Sequence, residues 1–184
     1  MGADEAGRGP LAGPVVAAAV WLPPDFPLVG LDDSKRLTPA RRAALAVAIR
    51  AGAEWEIERA EPGEIDRLNV LHASEAALSR AVTRLRSRID ADCLVDGHRL
   101  PPGVVGRAEV KGDGRFAPAS ILAKTTRDAL MVELHETYPV YGFDRHFGYP
   151  VPDHLRALRE HGPCPAHRRS FRPVAEASDR GLFA

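Results

Sequence analysis

The sequence predicts an α/β fold in which a mixed five-stranded sheet is flanked by helices and followed by a helical C-terminal portion. Short apolar runs of strand character alternate with longer segments whose apolar residues recur at helical spacing. A glycine-rich turn between the first two predicted strands is typical of a hairpin. With 184 residues, 45% of them hydrophobic, the chain is long enough for one domain, predicted over residues 1–184.

Each element is predicted from its own local signal. Two runs rich in small and β-branched residues and one alternating run predict strands, and two further apolar runs before and after a Gly-rich stretch predict two more. Thr38 before Pro39 marks a helix start, and Asn69 is predicted to cap the next helix. The predicted elements are strands at 2–5, 12–22, 53–60, 91–97 and 104–112, an irregular loop at 21–37, and helices at 39–52, 69–89, 117–138 and 152–162.

Composition limits the classes of function. The 25 basic and 25 acidic residues give a formal net charge of zero, so binding to a polyanion would need a local patch. Cys93 and Cys164 have no zinc-type spacing, which predicts neither a zinc site nor a disulfide framework. No apolar run reaches the roughly 18 residues of a spanning helix, and no signal peptide is evident. A cytoplasmic protein is therefore predicted.

The chain contains only three lysines, Lys35, Lys111 and Lys124, although it uses arginine freely. Where arginine is otherwise preferred, a retained lysine suggests that a compact, mobile ammonium group is needed. All three lie in the motifs described next, which favours a functional interpretation of those motifs.

The first motif, DEAGRGP, places Asp4 and Glu5 directly before a turn formed by Gly7, Arg8 and Gly9. Adjacent residues of a strand point to opposite faces, so both acids are expected to serve one site only if the strand ends between them. The turn would leave backbone N–H groups free to bind phosphate or sugar. The alternative is a surface acid pair that leads into a hairpin.

Two further acids are predicted to end strands. Asp96 in LVDG closes a buried apolar run, and Asp113 in KGDG follows the last strand. Taken alone, each is better explained as a turn residue, because Asp-Gly is among the commonest turn pairs. Together with Asp4 and Glu5 they would form a cluster of four carboxylates that repel one another unless cations neutralise them. Hard oxygen ligands favour Mg²⁺ or Mn²⁺, and two such ions can promote phosphodiester hydrolysis.

Eight sequence blocks, in order from residue 3 to residue 174, resemble bacterial ribonuclease HII. They are DEAGRGPLAGPVV, DDSKRLT, LNVLHAS, LVDG, KGD, ASILAKTTRD, GFDRHFGYP and HRRSF. The resemblance implies a ribonuclease H-like fold and a metal-binding catalytic site made of Asp4, Glu5, Asp96 and Asp113. Arg8 in the turn, where ribonuclease HIII carries lysine, favours type HII.

The same resemblance implies how a substrate would be held. The turn of Gly7, Arg8 and Gly9 would read the 2′-hydroxyl of a ribonucleotide, and Tyr149 would pack on the sugar beside the cleaved link. The residues implied as phosphate contacts are Ser34, Lys35, Lys124 and Arg168. Without the resemblance, the residues favour another interpretation of Tyr149, a partly buried aromatic at a helix start.

The predicted activity is hydrolysis of the RNA strand of RNA/DNA hybrids, including single ribonucleotides in duplex DNA, by a monomer. The products would carry a 3′-hydroxyl and a 5′-phosphate. Two alternatives stay open at this point. One is another ribonuclease H-like nuclease, such as a junction resolvase, and the other is a catalytically silent module that binds hybrids.

Overall fold

A computed structural model describes residues 1–27, 31, 34, 37–110 and 116–180. The mixed five-stranded sheet is confirmed, with strand order β3-β2-β1-β4-β5. Its strands are β1 (Gly2–Ala6), β2 (Val15–Trp21), β3 (Glu54–Ala60), β4 (Leu94–Asp96) and β5 (Arg107–Glu109). β1, β2 and β3 pair antiparallel, whereas β4 and β5 are parallel to β1. The hairpin predicted around the glycine-rich turn is the β1–β2 pair.

Helices cover both faces of this sheet, as predicted. They are α1 (Pro39–Gly52), α2 (Pro62–Leu68), α3 (Val70–Arg86), α4 (Ala117–Thr137), α5 (Phe143–His146), α6 (Pro152–His161) and α7 (Arg172–Arg180), with a 3₁₀ turn at Pro139–Tyr141. α3 buries its apolar face against alternate residues of β2 such as Ala17 and Ala19. α1 and α4 pack on the other face, against Ala18 and Val20. Because successive residues of a strand point to opposite faces, β2 contributes side chains to the apolar layers on both sides of the sheet.

Both predicted helix starts are confirmed. The hydroxyl of Thr38 accepts from the backbone N–H of Arg41 at 3.3 Å, with Pro39 in the first turn. The Asn69 side chain accepts from the N–H groups of Leu71 and His72 at 3.0 and 3.1 Å. Asn69 lies between two helices: it ends α2 and begins α3, and its φ is 65°.

Several boundaries differ from those predicted. β4 and β5 cover only three residues each: β4 pairs with β1 at two positions and with β5 at three, and a segment rich in Pro and Gly separates the two strands. α2 was not predicted, although Pro62 in its first turn is a start signal. The helix at 152–162 is not the last one, since α7 follows it. Within the described residues, no helix is both long and apolar enough to cross a membrane.

A separate apolar cluster supports the C-terminal helices. It contains Ala12, Met131, Tyr141, Phe143 and Cys164. His154 and His167 are buried beside it, at 0% and 1% exposure. Cys93 and Cys164 are both buried free thiols. This cluster lies behind the turn that follows β1, because Ala12 pairs with His167 in an isolated β-bridge.

Candidate active site

Asp4 and Asp96 lie on neighbouring strands near the centre of the sheet. β1 and β4 run parallel with Ala3 opposite Val95, so the two aspartates are the next residues along each strand. β4 ends at Asp96, and its pairing with β1 stops at Ala3. The prediction that Asp96 is delivered at the end of a buried strand is therefore confirmed.

The prediction that the first strand ends between Asp4 and Glu5 is wrong. β1 continues to Ala6, with Asp4 opposite Ala18 and Glu5 opposite Ala17 of β2. The two acids start on opposite faces, as strand geometry requires. β4 ends at Asp96 beside β1, and the charge of Asp96 acts on both Asp4 and Glu5, so the three carboxyl groups lie near one another.

Burial and mutual repulsion disfavour the charged forms of these acids. The pKa of Asp4 is raised to about 7, first by burial and then by the charges of Glu5 and Asp96. Hydrogen bonds from the Ser120 hydroxyl and from the Glu5 N–H, the latter at 2.7 Å, act in the opposite direction. Burial also raises the pKa of Glu5, against the pull of Arg8, whose guanidinium is 3.2 Å from Glu5 Oε1.

This donor set fits a hard divalent cation. Its atoms are carboxylate oxygens, the ligands that Mg²⁺ and Mn²⁺ prefer, and burial, followed by repulsion between the acids, raises the pKa values of Asp4 and Glu5. In the described part of the chain, no group of three or more acidic, histidine or cysteine side chains is close enough to hold a metal ion. The fourth predicted acid, Asp113, lies outside the described residues.

The turn after β1 is held from inside by two buried arginines. Arg168 is fully buried and donates to the carbonyl oxygens of Gly7, Arg8 and Gly13 at 2.6–3.0 Å. Arg127, 1% exposed, donates to those of Ala12, Pro14 and Phe147 at 3.0–3.2 Å. The main cause that lowers the pKa of Arg168, to about 9, is burial, followed by the charge of Arg127.

Arg168 therefore does not lie where the predicted phosphate contact requires it. A surface position would leave its guanidinium facing solvent, whereas here the group is committed to backbone carbonyls beneath the turn. Gly7 is needed at that turn for two reasons. Its φ is 99°, a conformation that favours glycine, and a Cβ there would overlap the Arg127 side chain.

Tyr149 lies directly beside the turn. A Cβ on Gly9 would be 3.5 Å from Cε1 of the Tyr149 ring, so the ring and the turn form adjoining surfaces. Tyr149 is 44% exposed and lies just before α6, so the alternative of a partly buried aromatic at a helix start also fits its position. An exposed ring next to a glycine turn has a free apolar face for a ligand.

Ser34 is buried, and its hydroxyl lies 2.7 Å from that of Ser120 on α4. Since Ser120 also bonds Asp4, a chain of three polar side chains links the loop at Ser34 to the acidic cluster. Arg42 of α1 holds the same loop by donating to the carbonyls of Ser34 and Leu37 at 2.8 and 3.0 Å. Lys35 lies outside the described residues.

Lys124 is one turn beyond Ser120 on α4. Its ammonium is 2.7 Å from Asp128 and 4.9 Å from the centre of the Phe147 ring. Its side chain keeps 24% exposure. The group is thus oriented by an anion and an aromatic face while one side stays open to solvent.

Sequence reasoning missed several residues that support this site. Ser120 and Arg127 were placed in a helix without a role, and His154 and His167 were interpreted as surface or core fillers. A signal existed in the helical spacing, because Ser120, Lys124 and Arg127 recur on one face of α4. For the histidines the sequence offered none, since their partners are distant in the chain or are backbone groups.

Comparison with known proteins shows the family of this chain. The family model described as Ribonuclease HII matches residues 1–174. A ribonuclease HII of Dechloromonas aromatica is 56% identical over 179 residues, which is 95% of this chain and 91% of that protein. That of Thiobacillus denitrificans is also 56% identical, over 94% of this chain and 87% of its own length.

Solved structures agree with the fold. The ribonuclease H2 of Pyrococcus horikoshii matches with a TM-score of 0.79 and 26% identity, over 100% of this chain and 98% of that one. The fold and the sequence matches together identify a ribonuclease H, a nuclease that hydrolyses phosphodiester bonds. The chain belongs to the ribonuclease HII family.

Proposed function

We propose that this enzyme hydrolyses the phosphodiester bond on the 5′ side of a ribonucleotide in duplexes, both in RNA/DNA hybrids and at single ribonucleotides embedded in DNA. One observation carries this proposal. A single strand–turn segment joins the acids Asp4 and Glu5 to the turn of Gly7 and Gly9, and Tyr149 adjoins that turn. A reactive centre and a sugar-recognition surface are thus within a few residues of each other.

The turn is the part that we assign to the 2′-hydroxyl. Arg168 and Arg127 bind backbone carbonyls of the loop from Gly7 to Pro14 from below. Because those carbonyls are held inward, the turn's N–H groups are the backbone groups that we assign to the ribose. A hydroxyl is both donor and acceptor, so such a contact separates RNA from DNA at one sugar. Tyr149 would pack on the adjoining sugar and favour a deoxynucleotide there.

The chemistry that we assign to Asp4, Glu5, Asp96 and Asp113 is in-line displacement at phosphorus. A water oxygen bonds to phosphorus while the bond from phosphorus to the 3′-oxygen of the preceding nucleotide breaks. The leaving oxygen takes a proton and becomes a 3′-hydroxyl, and the ribonucleotide keeps the 5′-phosphate. Bound Mg²⁺ or Mn²⁺ would supply charge neutralisation and activation of water.

Phosphate contacts beyond the scissile link are proposed for Lys124 and for Lys35, which follows Ser34 in the chain. Lys124 suits this role since it is fixed in place by Asp128 yet partly exposed. The formal net charge of zero means that such local cations, not a global field, must attract the duplex. Arg168 is proposed as a positioning residue of the turn.

The test uses a duplex with one ribonucleotide, an RNA/DNA hybrid and an all-DNA duplex, each with Mg²⁺ or Mn²⁺. We expect cleavage of the first two only, and loss of at least about 100-fold in kcat/KM for Asp4→Asn and Asp96→Asn. Asp90→Asn, an exposed acid on the loop before β4, is the matched control and should match wild type.

Three outcomes would contradict the proposal. Equal cutting of the all-DNA duplex would favour a junction-type nuclease. Binding of the hybrid without cleavage under either ion would indicate a silent binding module. Products with a 3′-phosphate would exclude the proposed bond cleavage.

We further propose that the enzyme acts as a monomer in the cytoplasm. Its two cysteines are free and buried, which suits a reducing compartment. Sedimentation equilibrium across a hundredfold range of protein concentration should give one mass of about 20 kDa. A mass that doubles over this range would contradict the monomer.

A further inference from the structure

A chain of buried polar side chains runs beneath Tyr149. The carbonyl oxygen of Tyr149 is 2.9 Å from Nδ1 of His154, and Nε2 of His154 is 3.0 Å from Nε2 of His167. The backbone N–H of Cys164 donates to Nδ1 of His167 at 3.1 Å. Both imidazoles are almost completely buried, at 0% and 1% exposure. Neither belongs to the acidic cluster or to the arginine pair.

The direction of every hydrogen bond in this chain follows from one backbone group. Because the Cys164 N–H can only donate, Nδ1 of His167 must accept, and a neutral His167 carries its proton on Nε2. That proton is donated to Nε2 of His154, so His154 carries its own proton on Nδ1. Nδ1–H of His154 then donates to the carbonyl of Tyr149, which can only accept.

These hydrogen-bond directions require both imidazoles to be neutral, and the surroundings of the pair keep them so. Burial is the first cause that lowers the pKa of each, to about 4 for His167, and the facing imidazole adds to the effect on His167. The groups that face the pair include Cys164 and Arg169 around His167, and His146, which is stacked on His154 at 4.7 Å between ring centres. The ring of Tyr141 is 4.8 Å from that of His167 and 6.5 Å from that of His154. If His154 took up a second proton, its Nε2–H would face the Nε2–H of His167, and the two donors would be 3.0 Å apart.

The histidine chain joins the two surfaces that adjoin in the site. At one end it fixes the backbone of Tyr149, whose ring is exposed beside Gly9. At the other end, His167 pairs with Ala12 in a β-bridge, and Leu11 donates to the carbonyl of Gly148 at 2.8 Å. A buried link of defined polarity therefore lies between Tyr149 and the loop that carries the turn.

We propose that His154 and His167 are positioning residues that set the place of Tyr149 relative to the Gly7–Gly9 turn, and thereby the preference for an RNA–DNA junction. This rests on the role proposed above for Tyr149. Their effect is on specificity, since neither imidazole reaches the acids. The quantity that they control is the ratio of kcat/KM for a duplex with one ribonucleotide to kcat/KM for a uniform hybrid.

Two substitutions of His167 distinguish a hydrogen-bonded link to Tyr149 from a role in packing alone. His167→Asn keeps an acceptor near Nδ1 for the Cys164 N–H but removes the donor toward His154. His167→Gln keeps a donor near Nε2 and removes the acceptor. His161→Gln, an exposed histidine on α6, is the matched control. A link to Tyr149 predicts that Asn lowers the ratio more than Gln, while packing alone predicts equal effects.

A double-mutant cycle with Tyr149→Ala tests whether the effect passes through Tyr149. We expect Tyr149→Ala to lower the ratio roughly tenfold and His167→Asn about threefold, with the double variant no lower than Tyr149→Ala alone. His161→Gln should leave the ratio unchanged. Additive losses, or equal losses for His167→Asn and His167→Gln, would overturn the proposal.

Nitrogen-15 NMR of the histidine side chains tests the link without any substrate. The expected nitrogen-15 spectrum has His154 protonated on Nδ1 and His167 on Nε2 at pH 7. In a carbon-13 spectrum, the ring signals of Tyr149 should be shifted by His167→Asn and not by His161→Gln. The opposite tautomers or unmoved Tyr149 signals would overturn the proposal. If wild type cleaved no ribonucleotide, the function proposed above would fail, and these spectra would still decide whether the histidines position Tyr149.

Discussion

Arg168 donates to the carbonyl oxygen of Gly7 at 2.6 Å across 161 residues of sequence, from a fully buried position. The contact ties the segment after α6 to the turn that follows the first strand. Burying a guanidinium is costly unless its donors are paired, and the carbonyls of Gly7, Arg8 and Gly13 provide that pairing. The shape of the turn and the tolerance of a buried charge therefore depend on each other.

Arg168→Lys should destabilise the protein and weaken cleavage. An ammonium keeps the charge but cannot bond three carbonyls in a planar fork, so at least one buried acceptor loses its partner. We expect the free energy of unfolding, measured with urea, to fall by about 2–4 kcal/mol. Arg156→Lys, at an exposed arginine of α6 that pairs with Asp153 on the same helix, should change it by less than about 0.5 kcal/mol. Equal effects of the two substitutions would contradict the buried role.

Gly7→Ala should impair both folding and activity. The residue has φ of 99°, and the added Cβ would overlap Arg127. Strain of this kind costs about 1–3 kcal/mol, before any displacement of the turn. Thermal unfolding and cleavage of a duplex with one ribonucleotide would measure the two effects.

Gly63→Ala is the matched control for Gly7→Ala. Gly63 lies in α2, and nothing is within 4 Å of a Cβ placed there. Alanine favours a helix over glycine by about 0.5–1 kcal/mol, so this variant should be slightly more stable than wild type. A Gly7→Ala protein as stable and as active as Gly63→Ala would show that the turn tolerates a side chain.

Asp4→Asn should stabilise the metal-free protein while it abolishes cleavage. The carboxyl group has its pKa raised to about 7, so at pH 8 its charge opposes folding, and the neutral amide removes that penalty. We expect a gain of about 1 kcal/mol or more with EDTA present, or a Tm increase of about 2–4 °C. Asp90→Asn should leave Tm unchanged, and a lower Tm for Asp4→Asn would refute the repulsion argument.

Added Mg²⁺ or Mn²⁺ should make wild type more stable than Asp4→Asn. Ions that bind only the folded state raise Tm in proportion to affinity, so wild type should gain more than Asp4→Asn as the ion is titrated. Differential scanning fluorimetry with each ion follows this directly. Equal gains for the two proteins would mean that Asp4 is not among the ligands.

Stability should fall in mild acid because of His167. Its pKa is lowered from 6.5 to about 4 in the folded protein, so the unfolded chain binds more protons between these values. This contribution is complete above pH 6.5 and is lost as the pH falls toward 4. The difference between the two pKa values corresponds to at most about 3 kcal/mol.

Urea unfolding at pH 7.0 and pH 4.5 measures that loss. His167→Gln cannot be protonated, so its free energy of unfolding should change less between the two pH values than that of wild type. His161→Gln, at an exposed position, should retain the wild-type difference. An unchanged pH dependence in His167→Gln would assign the acid sensitivity to other groups.

The sequence predicted the sheet and its main helices because apolar periodicity and capping residues are local signals, as at Thr38 and Asn69. Asp96 was located correctly by the same means, from a buried run that ends before glycine. The continuation of β1 through Glu5 could not be predicted, because it depends on pairing with β2 while the shorter β4 stops early.

The role of Arg168 could not be predicted either. A phosphate-binding arginine and a buried one have the same sequence, and only the turn's carbonyls, some 155 to 161 positions away, distinguish the two. The same holds for His154 and His167, because the backbone N–H of Cys164 sets the direction of their hydrogen bonds. In each case the missing information was a long-range backbone contact.

One helix, α4, carries Ser120 toward Asp4, Lys124 beside Phe147, Arg127 beneath the turn and Met131 in the C-terminal cluster. A helix turns about 100° per residue, so inserting or deleting one residue within α4 would rotate all later groups off that face together. Substitutions can be accommodated one at a time, but a change in the length of this helix cannot. Natural variation in α4 should therefore consist of exchanges at fixed spacing, with insertions and deletions confined to the loops at its two ends.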